Sequence, residues 1–278
     1  MSKITLINGL IDAHLDPADR GLAYGDGLFE TILTLNGRPL YWQMHLERLT
    51  SSCQRLGIST HGLVAELEQD IKKLKADLSE FGQTSGVLKV TVTRGQGQRG
   101  YAFDSHVTPT RIVAWSPYQR DEMKPAQGVE VRLCNTALGK NSLLAGMKHL
   151  NRLEQVLARA EWSDPRISEG LVLDVDGRLA EGTMSNLFWV EQGVLFTPTL
   201  AQCGVHGVMR TRIMELAQHA RIEVKMVDCP PSVLNTADEI FLANSVIGIW
   251  PVVKLADQSY PVGPVTRQLQ ALVEKDEM

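Results

Sequence analysis

The chain has 278 residues, 44% apolar and 22% charged, and its 28 Lys and Arg against 32 Asp and Glu leave a net charge of −4. Such a composition excludes a disordered chain and fits a globular protein of about two domains. Near-balanced charge gives no electrostatic reason to expect nucleic acid or an anionic membrane as partner.

From the N-terminus, Ile4–Ile11 is a short apolar run broken by Asn8-Gly9, a hairpin signal. Asn36-Gly37 repeats that signal between Thr31–Leu35 and Pro39–Trp42. A helix is expected from about Gln43 to Leu56, because Leu46, Leu49, Cys53 and Leu56 recur at helical spacing. Val64–Leu78 has the same pattern in Leu67, Ile71, Leu74 and Leu78. Val87–Thr93 and Arg111–Trp115 read as strands, rich in Val, Ile and Thr.

Pro117–Gly128 is polar and carries two prolines, which makes it the best linker in the chain. Strand Val129–Cys134 follows, then a helix near Asn151–Trp162 expected to bury Leu150, Leu153, Val156, Leu157 and Ala160. Gly170–Asp174 and Asn186–Val190 read as strands, Gly207–Arg221 as a helix, and Ile222–Val227 as a strand. The mostly apolar Glu239–Val253 precedes a last helix near Pro264.

No apolar run approaches the ~20 residues of a membrane helix; the most apolar, Phe241–Val253, contains Asn244, Ser245 and Pro251. Asn8, Asp12 and His14 interrupt the first apolar stretch early, so no secretory signal is expected. Cys53, Cys134, Cys203 and Cys229 are far apart and form no C-x-x-C pair. Neither a metal site nor a disulfide framework is suggested, and a reduced, cytoplasmic protein is expected.

Gly95-x-Gly97-x-x-Gly100 has the letters of a dinucleotide fingerprint, but Tyr101–Pro109 is a poor helix start, and the mechanism needs a helix there. A glycine-rich loop carrying Arg94 and Arg99 is the better description. It serves either as a flexible connection or as a carboxylate-binding loop, since a guanidinium fork matches two oxygens. Lys148 sits in an apolar stretch, Leu143–Asn151. It either snorkels to the surface or, if buried, becomes a neutral amine able to attack a carbonyl. Glu181 lies between two apolar strands, as a solvated turn residue or as a pocket carboxylate. Gly204–Arg210 places glycines before a helix N-terminus, where free N–H groups can hold a phosphate. Lysine, carboxylate and helix start together are what pyridoxal phosphate needs.

At this point Glu181–Phe188 (E-G-T-M-S-N-L-F), Phe196-Thr197-Pro198 and Gly204–Arg210 (G-V-H-G-V-M-R), in this order, resemble the signature of the fold type IV pyridoxal-phosphate enzymes. These include branched-chain aminotransferases, D-amino-acid aminotransferases and 4-amino-4-deoxychorismate lyases. The resemblance runs from Tyr24–Thr31 and His45–Leu49 to Glu239–Val253. Arg94–Tyr101 and Lys148–Gln155 look most like the lyases. Aminotransferase relatives tend to show R-x-H where Arg99-Gly-Tyr101 stands, an apolar residue in place of Thr31, or a tyrosine shortly after the lysine.

The resemblance implies a two-domain α+β or α/β fold, D-amino-acid-aminotransferase-like, with the cofactor at the domain interface. A smaller N-terminal α/β domain (1–116) and a linker (117–128) would precede a larger, β-rich C-terminal domain with helices (129–278) carrying the Schiff-base lysine. Pyridoxal 5'-phosphate would be held by Lys148, with Glu181 at its ring nitrogen. Its phosphate would lie on Arg48, the N–H groups of Val208 and Met209, and the Ser245 hydroxyl. Asn186 and Asn151 would line the site, and Arg99 and Tyr101 would meet a substrate carboxylate. Thr31 would supply or relay a proton, or be an ordinary strand threonine. A small-molecule substrate and a homodimer, with a partner loop near the active site, are also implied.

Overall fold

The structure, a computed structural model, describes residues 4–11, 13–80, 85–104 and 106–278, and the side chains of all of these except 77–80. Leu78, expected on a helix face, therefore lies outside the described side chains. The chain divides into two compact units, residues 1–119 with 147–151 and residues 120–146 with 152–278.

In the first unit, β1 (Ile4–Ile7) and β2 (Leu10–Ile11) form the expected hairpin, with Asn8 and Gly9 both at positive φ (48° and 77°). Both turn positions of a type I′ hairpin need that conformation. After α1 (Arg20–Tyr24) come β3 (Gly27–Leu35) and β4 (Arg38–Pro39), joined through Asn36-Gly37. Helix α2 (Trp42–Leu56) buries Leu46, Leu49 and Cys53, as its spacing predicts. Helix α3 (Leu63–Glu80) does the same with Leu67, Ile71 and Leu74. Strands β5 (Gly86–Thr93) and β6 (Thr110–Pro117) complete an antiparallel sheet in the order β2-β1-β6-β5-β3-β4.

The second unit opens at Arg120. The polar 117–128 stretch is only partly a connection, because β6 runs to Pro117 and α4 spans Met123–Gln127 with Lys124 over the Trp250 ring at 4.5 Å. Then come β7 (Val129–Leu138), α5 (Leu153–Arg159), β8 (Ile167–Asp174), β9 (Leu179–Gly182), β10 (Asn186–Glu191) and β11 (Val194–Pro198). Helix α6 (Val208–His219), β12 (Val224–Val227), β13 (Glu239–Asn244), β14 (Gly248–Leu255), β15 (Gln258–Ser259) and α7 (Pro264–Glu277) follow.

Among the described residues these strands form one mixed sheet, β12-β11-β10-β13-β14-β7-β8-β9, with β15 on β14. Its core includes Leu171, Leu187, Trp189, Leu242 and Val252. Asn186 pairs with Ala243, so the start of β10 and the end of β13 share one sheet edge, and Ser245 sits in the turn beyond it.

Two expectations are corrected. Segment 147–151, with Lys148, groups with the first unit rather than the second. Its backbone explains why: the Phe29 N–H donates to the Lys148 carbonyl (2.9 Å) and the Leu150 N–H to the Gly27 carbonyl (3.0 Å). Helix α5 is shorter than 151–162, and Leu153, Val156 and Leu157, expected inside, are 76%, 58% and 60% exposed. Apolar periodicity identified the helix but not its buried face: the residue α5 buries is Ala158.

Candidate active site

In the first unit, β3 alternates its side chains between two faces. Glu30, 2% exposed, faces α2; Phe29 and Thr31 share the other face and are half-buried. His45 and Arg48, three residues apart on α2, meet Glu30. Arg48 Nε donates to Glu30 Oε1 (2.8 Å) and Nη2 to Oε2, and His45 Nδ1 is 2.6 Å from Oε2. Burial alone would push the Glu30 carboxyl up, but Arg48 and His45 bring it down to about 2. Burial pushes the His45 imidazole down; Glu30 opposes this, and the Arg48 and Lys148 charges add to it. His45 is therefore neutral at pH 7, with Nδ1–H donating to Glu30, and its buried Nε2 has no hydrogen-bond partner among the described residues.

Lys148 is half-buried, its Nζ 4.4 Å from the centre of the Phe29 ring. A cation over a ring face is attracted by the ring quadrupole, and this fixes where the amine stands. Asn151 Nδ2 donates to the Gly25 carbonyl (3.1 Å). Gly25 has φ 65°, and a Cβ there would fall 2.6 Å from Asn151 Oδ1, so glycine is required on both counts.

Of the two arginines placed on the glycine-rich loop, Arg94 is not available to a ligand. It is buried, donating to Asp26 (2.7 and 3.0 Å) and to the Leu56 and Gly57 carbonyls at the end of α2. Arg99 is exposed, and Tyr101 is 84% exposed, its ring 5.5 Å from that of Tyr24. Sequence reasoning missed Arg20. It pairs with Asp26 and donates to the carbonyls of Gly100, Tyr101 and Ala102, holding the segment that presents Arg99 and Tyr101. Acidic Asp26 two residues past α1 was the available signal.

In the second unit Glu181 is 4% exposed. Its Oε2 accepts the Val205 N–H (2.8 Å) and lies 3.5 Å from Asn186 Nδ2, which also donates to the Val205 carbonyl (2.9 Å). A Cβ on Gly207 would lie 1.9 Å from Asn186 Oδ1, so only glycine lets the backbone approach this closely. Gly207 caps α6 without a side-chain hydrogen bond, and the first turn of α6 holds no acid. That leaves an anion-ready N-terminus at Val208 and Met209. Arg210, also missed, is buried in the same first turn of α6, donating to Thr197 Oγ1 (3.3 Å) and the Pro198 carbonyl (2.8 Å). Burial lowers it to about 10 while Glu181 acts to raise it, so the two charges support each other. Ser245 lies in the β13–β14 turn, half-buried.

Burial raises the thiols of Cys53 and Cys203 to about 12 and of Cys134 and Cys229 to about 11, which disqualifies them as nucleophiles at neutral pH. Among the described residues, no cluster of His, Cys, Asp and Glu could hold a metal ion, and no helix is long and apolar enough to cross a membrane.

The amino-transferase class IV family matches residues 27–255. An aminodeoxychorismate lyase of Vibrio harveyi is 34% identical, over 95% of this chain and 97% of its own. A D-alanine aminotransferase of Bacillus licheniformis is 27% identical, over 97% and 95%. The crystal structure of 4-amino-4-deoxychorismate lyase from Pseudomonas aeruginosa superposes with a TM-score of 0.92 at 46% identity, covering 98% of this chain and 99% of that one. The fold is that of these enzymes, and with the match spanning both units the chain belongs to the class IV aminotransferase family.

Proposed function

We propose that the chain is a pyridoxal-phosphate-dependent lyase that converts 4-amino-4-deoxychorismate to 4-aminobenzoate and pyruvate, a step toward folate. The observation that carries this reading is the 46% identity to the Pseudomonas lyase over 98% of the chain, against 27% to the D-alanine aminotransferase.

The residues fit the cofactor. In the second unit Gly207 opens an uncapped helix end suited to a phosphate at Val208 and Met209, with Ser245 as a further candidate ligand, and in the first unit Arg48 is a candidate phosphate ligand. Buried Glu181, held by the Val205 N–H and backed by Arg210, suits a ring nitrogen that must stay protonated. Asn186, in the second unit, and Asn151, in the first, would each bind the cofactor. When bound, the cofactor supplies an electron sink for charge on the amine-bearing carbon.

Lys148 would hold the cofactor, and its amine would take the proton from that carbon. Thr31 shares the β3 face with Phe29, whose ring seats the Lys148 amine, so its hydroxyl serves proton transfer to the leaving enolpyruvyl group. Arg99 and Tyr101 meet a substrate carboxylate. Aromatisation makes the elimination downhill, so the chain's task is alignment. Assaying aminodeoxychorismate for aminobenzoate and pyruvate, against D-alanine for keto acid, tests the reading. Keto acid alone would make the chain a D-amino-acid aminotransferase.

Two variants probe the roles separately. Glu181→Gln is expected to bind the cofactor but slow proton removal about a hundredfold; unchanged single-turnover rates would remove its role. Thr31→Val, nearly isosteric, is expected to slow elimination at least about tenfold and spare any side transamination. Equal loss of both would make Thr31 an ordinary strand residue.

A homodimer is supported by the apolar surface of Leu143, Leu153, Val156 and Leu157, 58–79% exposed, which is the kind a second subunit covers; sedimentation measures it. Four free cysteines support a cytoplasmic location, read by cell fractionation.

A further inference from the structure

The turn that carries Ser245 is held from both sides of its backbone. Asn244 Oδ1 accepts the N–H groups of Val246 (2.8 Å) and Ile247 (2.9 Å), and its Nδ2 donates to the Met184 carbonyl (3.0 Å). From the other side Arg120 Nε donates to the Val246 carbonyl (2.7 Å). The same guanidinium grips the Glu277 carboxylate with Nη1 and Nη2, the latter at 2.8 Å from Oε1. Gly248, at φ 70°, closes the turn with a Cβ position 3.8 Å from the guanidinium carbon.

Glu277 breaks a local rule. It lies in the last turn of α7, where the helix carbonyls already present negative charge and a carboxylate is disfavoured. Its side chain is nevertheless only 6% exposed. An acid buried at the wrong end of a helix is tolerable only when a fork such as that of Arg120 satisfies both oxygens. Rules broken this way mark positions kept for another purpose. Arg120 of this pair also donates to the Val246 carbonyl, one residue from Ser245.

We propose that Arg120 and Glu277 are positioning residues that preset the Ser245 turn so that its hydroxyl is presented to the phosphate ester of the cofactor. A hydroxyl on a preset turn loses no further backbone freedom when the ligand docks. The inference rests on the reading of Ser245 as a phosphate ligand, and the test separates the two.

Apoprotein of the wild type, Ser245→Ala, Glu277→Gln, Arg120→Lys and the double variant Ser245→Ala/Glu277→Gln is titrated with pyridoxal phosphate and with pyridoxal, which lacks the phosphate. Its Tm is recorded alongside. Ser245→Ala, Glu277→Gln and Arg120→Lys are each expected to weaken pyridoxal phosphate binding about tenfold and pyridoxal binding less than about twofold. The double variant should be no weaker than Ser245→Ala alone, because Glu277 acts through the serine.

Equal weakening of both ligands that tracks a fall in apoprotein Tm would make the pair merely structural and overturn the proposal; so would additive effects in the double variant. If Ser245→Ala weakens binding while Glu277→Gln and Arg120→Lys do not, the clamp fails and the serine's role stands. If Ser245→Ala has no effect, the reading of the serine itself fails. Should Glu277→Gln not fold, Arg120→Lys, which keeps a charge but loses the fork, gives the same readout.

Discussion

Lys148→Ala is expected to lower turnover by at least about a thousandfold and to leave the cofactor bound without a reducible link to the protein. The fold should survive, because segment 147–151 is tied to β3 by main-chain bonds, from the Phe29 and Leu150 N–H groups, that an alanine retains. What is lost is the amine over the Phe29 ring, the attachment point and base of the proposed reaction. The structure supplies a control. Lys89 Nζ lies 5.2 Å from the centre of the same ring, on an exposed side chain of β5. Borohydride reduction followed by mass spectrometry distinguishes the two amines. Modification at Lys148 in the wild type, none in Lys148→Ala, and turnover in Lys89→Ala within about twofold of wild type are expected. Label on Lys89 in the wild type would overturn the assignment.

The parts of the site that were legible in the sequence are those where backbone geometry dictates residue type. Gly207 must be glycine because Asn186 leaves no room for a Cβ, so the motif around it is visible as letters. The Asn8-Gly9 and Asn36-Gly37 turns are legible for the same reason. Long-range charge pairing was not legible. Arg94 and Arg99 look alike in the chain, and only the fold, which brings Asp26 and the end of α2 to Arg94, makes one structural and leaves the other exposed. Glu30 was missed although His45 and Arg48 stand at helical spacing. An inward-facing acid in a strand announces nothing until the helix that neutralises it is known to pack there. Lys148 joined the first unit through two backbone hydrogen bonds to β3, and such bonds leave no mark on side-chain pattern.

The Glu30 cluster leads to the second large effect, on stability and its pH dependence. In the unfolded chain Glu30 titrates near 4.5, but in the folded one Arg48 and His45 hold it ionised down to about 2. Stability from this group is therefore complete above about pH 4.5 and is lost as pH falls toward 2, amounting to roughly 3 kcal/mol. His45 works in the same direction. Its folded pKa lies below 6.5, so the unfolded state binds the proton first and stability already declines as pH drops below about 6.5. Glu30→Gln removes the carboxylate and strands the mostly buried Arg48 charge, which is expected to cost about 3–5 kcal/mol at pH 7. It also deletes the loss between pH 4.5 and 2, so the variant's stability should fall less steeply with acid than the wild type's. Denaturant unfolding of both proteins at pH 7, 5 and 3.5 measures this, and parallel curves would show that the Glu30 charge is not held by folding. The same variant bears on the site. Glu30 fixes two nitrogens of the Arg48 fork and thereby its orientation, so with Arg48 in its proposed role as a phosphate ligand Glu30→Gln should weaken pyridoxal phosphate more than pyridoxal even where the protein is fully folded.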